Sequence, residues 1–294
     1  MQHRVGLHRY TRWLISLVIV SLLFITSGTT PIHANVPGPT VNISGRGWFD
    51  ACSAPSVSAM QTWWNQAPSY WNTGVYIGGI NRACAQSNLS YSWVSQVASQ
   101  GWAFIPIYVG RQAPCSNPSS NFALISTDPY TAQQQAISAA NLGTYGAEAT
   151  ANTLGFSRGT IVYLDIEGYD QYNTSQCESI VNTYVQAWVK QMKADGYRTG
   201  VYGSSCSSHP MDWTTFNPPP DDVWLASYPS PSPPSVLGLP CIGDGYWSQH
   251  QRHHQYTTTH DETYAGVTIS IDSDCAEGVV AGPAYDDGSP NTCP

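Results

Sequence analysis

Ile161-Val162-Tyr163-Leu164-Asp165-Ile166-Glu167-Gly168-Tyr169 opens as an apolar run that is interrupted only by two acids. The stretch predicts a buried β-strand. Residues i and i+2 of an extended chain point the same way, so Asp165 and Glu167 share one side while Leu164 and Ile166 share the other. Two strand rises separate the carboxyls along the chain by about 6–7 Å, close enough to perturb each other and to reach one bond. Taken alone, such a pair also fits a strand end whose acids cap the next helix or meet an arginine. The rest of the chain decides between these readings.

Around this strand, short apolar runs alternate with helical patterns. Strands are expected at Gly47–Asp50, Val75–Gly79, Trp102–Val109, Arg198–Gly203, Val223–Tyr228, His250–Tyr256 and Val267–Asp272. Helical spacing marks Val57–Gln66, Tyr91–Ser99 and a long Ala/Gln-rich stretch from Tyr130 to Leu154 weakened by Gly143 and Gly146. It also marks Glu178–Ala194, stopped by Gly196. Strands alternating with helices imply βαβ units, and eight strands fit a closed (β/α)8 TIM barrel, an α/β fold in a single domain, better than an open sheet. There is no G-x-G-x-x-G after the first strand, no P-loop and no G-x-S-x-G elbow, so dinucleotide, nucleotide and serine-hydrolase chemistry lose support. No cofactor is expected.

The N-terminus has the layout of a secretory signal peptide: Arg4, Arg9 and Arg12, then an apolar run from Leu14 to Ile25, then Ile32-His33-Ala34 as a cleavage site. The expected division is a signal peptide over 1–34, a lead-in over 35–46 and the barrel domain over 47–294. Loss of the three leader arginines takes the net charge from −8 to −11, which disfavours nucleic acid and anionic membranes as partners. A secreted protein, extracellular or associated with the cell wall and acting as a monomer, is expected. Eight cysteines, an even number, argue for disulfides in an exported chain. Eight cysteines allow 105 pairings, among which the sequence does not choose; neighbouring loops suggest Cys52–Cys84, Cys206–Cys241 and Cys275–Cys293, which would leave Cys115–Cys177.

In such a barrel the active site gathers at the C-terminal strand ends. Asp50 closes the first expected strand, Asp165 and Glu167 the fourth, and Asp272 and Asp274 the eighth, so four or five carboxylates converge. Tyr76, Tyr108, Tyr202, Trp224 and Tyr256 lie at or near strand ends and are expected to line the mouth with aromatic surface. Crowded carboxylates raise one another's pKa, so one can remain a general acid near neutral pH while a neighbour stays ionised, as glycosidic cleavage requires. Glu167 is the expected acid. Asp165, with Asp50 or Asp272, is expected to stabilise the oxocarbenium-like centre or position water. Asp274 stays open between a further catalytic acid, a cation ligand and a turn residue.

These residues also carry a resemblance. Phe49-Asp50-Ala51-Cys52, Tyr76-Ile77-Gly78-Gly79, Pro106-Ile107-Tyr108-Val109-Gly110, Tyr163-Leu164-Asp165-Ile166-Glu167, Gly200-Val201-Tyr202-Gly203 and His254-Gln255-Tyr256 with Ile271-Asp272 resemble the secreted Rv2525c-like glycoside-hydrolase-like family. That family in turn resembles the muramidases of glycoside hydrolase family 25, which cut β-1,4 bonds in peptidoglycan. The resemblance implies Asp50, Asp165, Glu167 and Asp272 as a catalytic quartet and places Gln255 and Tyr256 in the substrate-binding set, with Asp274 beside them. His254 stands where the muramidases usually show tryptophan. A cell-wall polysaccharide is the implied partner. A non-catalytic wall-binding protein on the same barrel is the rival reading, and a non-sugar extracellular substrate the third.

His250, His253, His254 and His260 lack H-E-x-x-H spacing, and no metal is expected. Asp261-Glu262 and Asp286-Asp287 read as loop acids. Asn42, Asn88 and Asn173 begin N-x-[ST] triplets.

Overall fold

The computed structural model describes residues 39–40, 46–141, 145–170, 174–228 and 234–282. The expected signal peptide, Cys293 and Asp286-Asp287 lie outside them, as do Asn42 and Asn173.

Eight strands close a barrel: β2 (Arg46–Asp50), β3 (Tyr70–Gly78), β4 (Ala103–Val109), β5 (Ile161–Asp165), β6 (Arg198–Ser204), β7 (Asp222–Ala226), β8 (Arg252–Gln255) and β10 (Val267–Glu277). Each of the first six pairs in parallel with the next. The eighth departs from the expected parallel sheet: β10 runs antiparallel to both β2 and β8. No helical crossover feeds it. A hairpin does, from β9 (His260–Tyr264) through Ala265 and Gly266, both with φ above zero, and a two-residue hairpin can only return antiparallel. The acids Asp261 and Glu262 therefore sit on a strand rather than in a loop.

The helices pack outside. They are α1 (Val57–Gln66), α2 (Tyr91–Gln100), α3 (Pro129–Asn141), α4 (Ala147–Thr153) and α5 (Ser175–Ala194). Local chemistry starts them: Ser56, Ser90 and Thr174 each accept a backbone N–H at the first turn. Gly101, at φ 117°, ends α2 in the left-handed conformation. The expected stretch from 130 to 154 is two helices, and Gly146 caps the second.

β4 is buried at every residue and so reads as a continuous apolar run. Its Phe104 and Tyr108 join the core between strands and helices, while Ala103, Ile105 and Ile107 fill the lumen with Trp48, Tyr163, Tyr202 and Trp224. Gly200 makes room inside, since a Cβ there would stand 2.1 Å from the Tyr163 ring. The chain leaves β10 across the N-terminal end of the barrel. Val279 donates to Asp222 and accepts from the Tyr163 hydroxyl before β11 (Val280–Ala281) pairs with β4 and with β1 (Pro39–Thr40). His253 is sealed above this segment against Trp48 and Tyr163, and burial lowers its pKa to about 3, so it is neutral.

Three disulfides tie the loops at the opposite end: Cys52–Cys84, Cys115–Cys177 and Cys206–Cys241. Among the described residues no helix is long and apolar enough to cross a membrane.

Candidate active site

Strand direction and register bring the acids together. Asp50 is the last residue of β2 and pairs with Asp272, because the antiparallel β10 enters the barrel from the mouth. Asp165 ends β5, and Glu167 follows two residues later. All four acids line one cavity of about 400 Å³, together with Tyr76, Asn81, Arg82 and Phe122. Asp50 and Asp165 are buried, while Glu167 and Asp272 are half-buried.

Each carboxyl is held by named donors. The Tyr76 hydroxyl donates to Asp50 Oδ1 at 2.7 Å, and Gln255 Nε2 donates to Asp50 Oδ2 and to Asp272 Oδ2, both at 3.1 Å. The amide oxygen of Gln255 accepts from the hydroxyls of Tyr202, at 2.8 Å, and Tyr228. Gln255 thus fixes two acids with one face and is itself fixed by the other. Trp224 Nε1 donates to Asp274 Oδ1 at 2.8 Å. Asp274 is fully buried beside Asp50, and its other carboxyl oxygen has no hydrogen-bond partner among the described residues.

Burial, then neighbouring charge, sets the ionisation. Burial and the charge of Asp272 raise Asp50 to about 7 against the hydrogen bonds it accepts. Burial, then Glu167 and Asp50, lift Asp165 well above the ordinary carboxylate range. Burial and Asp272 raise Glu167. Asp274 is raised well above that range by burial and Asp50. Burial also raises Asp272, but a Thr259 hydrogen bond and the His260 charge oppose it. The site therefore favours the neutral form of several acids beside one, Asp272, whose charged form two neighbours favour, the division that acid–base chemistry on one bond needs.

Residues 61–276 match the family described as "Rv2525c-like, glycoside hydrolase-like domain". The chain belongs to that family. Asp165, Glu167, Asp272 and Asp274 fall inside the matched span of the Rv2525c-like domain, and Asp50 precedes it. The crystal structure of an uncharacterized B. stearothermophilus protein shares its fold at TM-score 0.50 and 16% identity, over 79% of this chain and 96% of that one. A structure described as GHIP, a glycosyl hydrolase 25 of Streptococcus pneumoniae participating in host cell invasion, aligns at TM-score 0.43 and 12% identity, over 79% and 86% of the two chains. No curated protein matches the sequence.

Not every expected site residue of the Rv2525c-like domain reaches the cavity. Tyr76 lines it, and Tyr202 borders the neighbouring cavity. Gln255 and Asp274 lie buried around Asp50. Trp224 is sealed in the lumen between Trp48 and Tyr202, so it supports Asp274 instead of touching a ligand. Tyr108 faces the helices and donates to the Tyr145 carbonyl, because the odd-numbered residues of β4 point inward. Tyr256 alternates out of the lumen after Gln255 and packs near His254 beside Val236 and Cys275.

Sequence reading missed Gln112, which is fully buried. Its amide donates to the Asp165 carbonyl at 3.0 Å and accepts from the Glu167 N–H at 2.8 Å, pinning the strand end that carries both acids. It lies in an irregular loop after β4, where no periodicity marks it. Tyr228 and Arg82 were also missed. They sit on loops, and only the closed barrel brings them to the mouth.

Proposed function

We propose that this protein is a secreted glycoside hydrolase acting on a cell-wall glycan of the peptidoglycan type, cutting β-1,4 bonds with Glu167 as general acid. The observation that carries the reading is the cavity in which Glu167, with its proton held by burial and by Asp272, faces Asp50, Asp165 and Asp272. Glu167 gives its proton to the glycosidic oxygen as the bond to the anomeric carbon breaks. The positive charge left on that carbon is met by the ionised carboxylate among its neighbours. Asp272 suits that role best, with Thr259 and His260 favouring its charged form. Water completes the reaction at the anomeric carbon and its proton passes to a carboxylate. Three disulfides and the family's description support an extracellular setting and a sugar substrate.

The test is release of reducing ends from purified peptidoglycan and from chitin-type polymers. Glu167→Gln is expected to abolish release with an unchanged thermal melt. A wild-type protein that releases none from either polymer refutes the proposal.

A second reading, a non-catalytic wall-binding protein, is favoured by one observation. Burial and its acidic neighbours favour the neutral form of Asp165, which lines the cavity, and a neutral carboxyl donates hydrogen bonds to sugar hydroxyls as readily as it serves catalysis. Retention on purified wall without product release supports it.

A further inference from the structure

Glu167 lines two cavities. Beyond the acidic one lies a second of about 360 Å³, whose wall is built of Ser204, Ser205, Ser207, Ser227, Tyr228 and Pro240. Glu167 is the one charged side chain on that wall among the described residues. The loop is rigid where it matters. Ser204 Oγ accepts the N–H groups of Cys206 and Ser207, the Ser207 carbonyl accepts those of Tyr169 and Asp170, and the Cys206–Cys241 disulfide ties the Pro240 segment to the rim. Tyr228 is 45% exposed, yet its hydroxyl is anchored on Gln255, the amide that also holds Asp50 and Asp272.

We propose that this second cavity is the leaving-group subsite and takes one uncharged pyranose, stacked on the ring of Tyr228. The inference rests on the glycosidase reading and orients its substrate. Positive charge develops on the sugar whose anomeric carbon is attacked, so that sugar belongs among Asp50, Asp165 and Asp272. The departing oxygen takes the proton of Glu167, so the sugar that leaves lies across Glu167 from those acids, against the serines. A wall of hydroxyls without a cationic side chain suits neutral hydroxyl or acetamido groups, and the exposed ring of Tyr228 offers an apolar face on which a pyranose stacks. Tyr228 is a binding residue here, not a catalytic one.

The experiment measures binding rather than turnover. In the Glu167→Gln background, the β-1,4-linked tetramer of N-acetylglucosamine and its monomer are titrated by calorimetry, with the Tyr228 ring signals followed by NMR. Tyr228→Ala is expected to weaken the tetramer about tenfold, the scale of one aromatic contact. Tyr228→Phe, which keeps the ring, is expected to bind like its parent, and Ser207→Trp, which fills the cavity, to weaken the tetramer as Tyr228→Ala does. Equal loss in Tyr228→Phe and Tyr228→Ala would show that the hydroxyl's grip on Gln255 matters and not stacking, and would overturn the proposal. Tetramer binding indifferent to both Tyr228→Ala and Ser207→Trp, yet lost in Asp165→Asn, overturns the subsite and leaves the glycan reading standing. A protein that binds no tetramer in any background overturns both.

Discussion

Asp50→Asn should reverse the sign of its effect on stability between pH 4 and pH 8. Asp50 is 3% exposed, and burial and Asp272 raise its carboxyl to about 7. The unfolded chain holds the same proton with a pKa of about 4. A raised folded value means that the folded state binds the proton more tightly, so the stability it contributes is present below about pH 4 and is lost as pH rises to about 7. Three units at about 1.4 kcal/mol each make the loss about 4 kcal/mol at pH 8. Asparagine carries no such cost, but its amide sets a donor against Gln255 Nε2, where Asp50 accepts at 3.1 Å, a mismatch of about 1–2 kcal/mol. The variant should therefore be about 1 kcal/mol less stable than wild type at pH 4, where little of that loss has set in, and about 2–3 kcal/mol more stable at pH 8. Denaturant unfolding at the two pH values reads this directly. Equal destabilisation at both would refute the claim that Asp50 is kept uncharged by its surroundings.

Three further outcomes are expected. Gln112→Leu strands the Asp165 carbonyl and the Glu167 N–H in a buried loop, so it should cost about 2–4 kcal/mol in denaturant melts and lower any turnover through misplaced acids. Loss of Cys115–Cys177 by the double serine substitution opens a loop of sequence separation 62 and should cost about 4 kcal/mol in the same assay. The pH–rate profile should be bell-shaped, falling at high pH as Glu167 loses its proton and at low pH as Asp272 gains one, with both limbs above the ordinary carboxylate range. Asp272→Asn removes a like charge from beside Glu167 and should move the alkaline limb to lower pH in any activity that remains.

The amino-acid sequence by itself determined the pieces that depend on local pattern. The apolar run ending in Asp165 and Glu167, the fully buried β4 and the amphipathic α5 follow from periodicity and capping. The convergence of Asp50, Asp165, Glu167 and Asp272 was legible because a closed barrel leaves few places for acids at strand ends. Tertiary structure decided the rest. Period-two alternation says which residues share a face but not which face is inward when both are buried, and so Tyr108 points at helices. The direction of β10 depends on a hairpin whose signal, Ala265-Gly266, is weak, and that direction sets Asp272 against Asp50. Gln112 and Tyr228 act through partners more than 20 residues away. Protonation is a property of the assembled site alone: a carboxyl keeps its proton because burial has removed its water and packing has set other acids beside it.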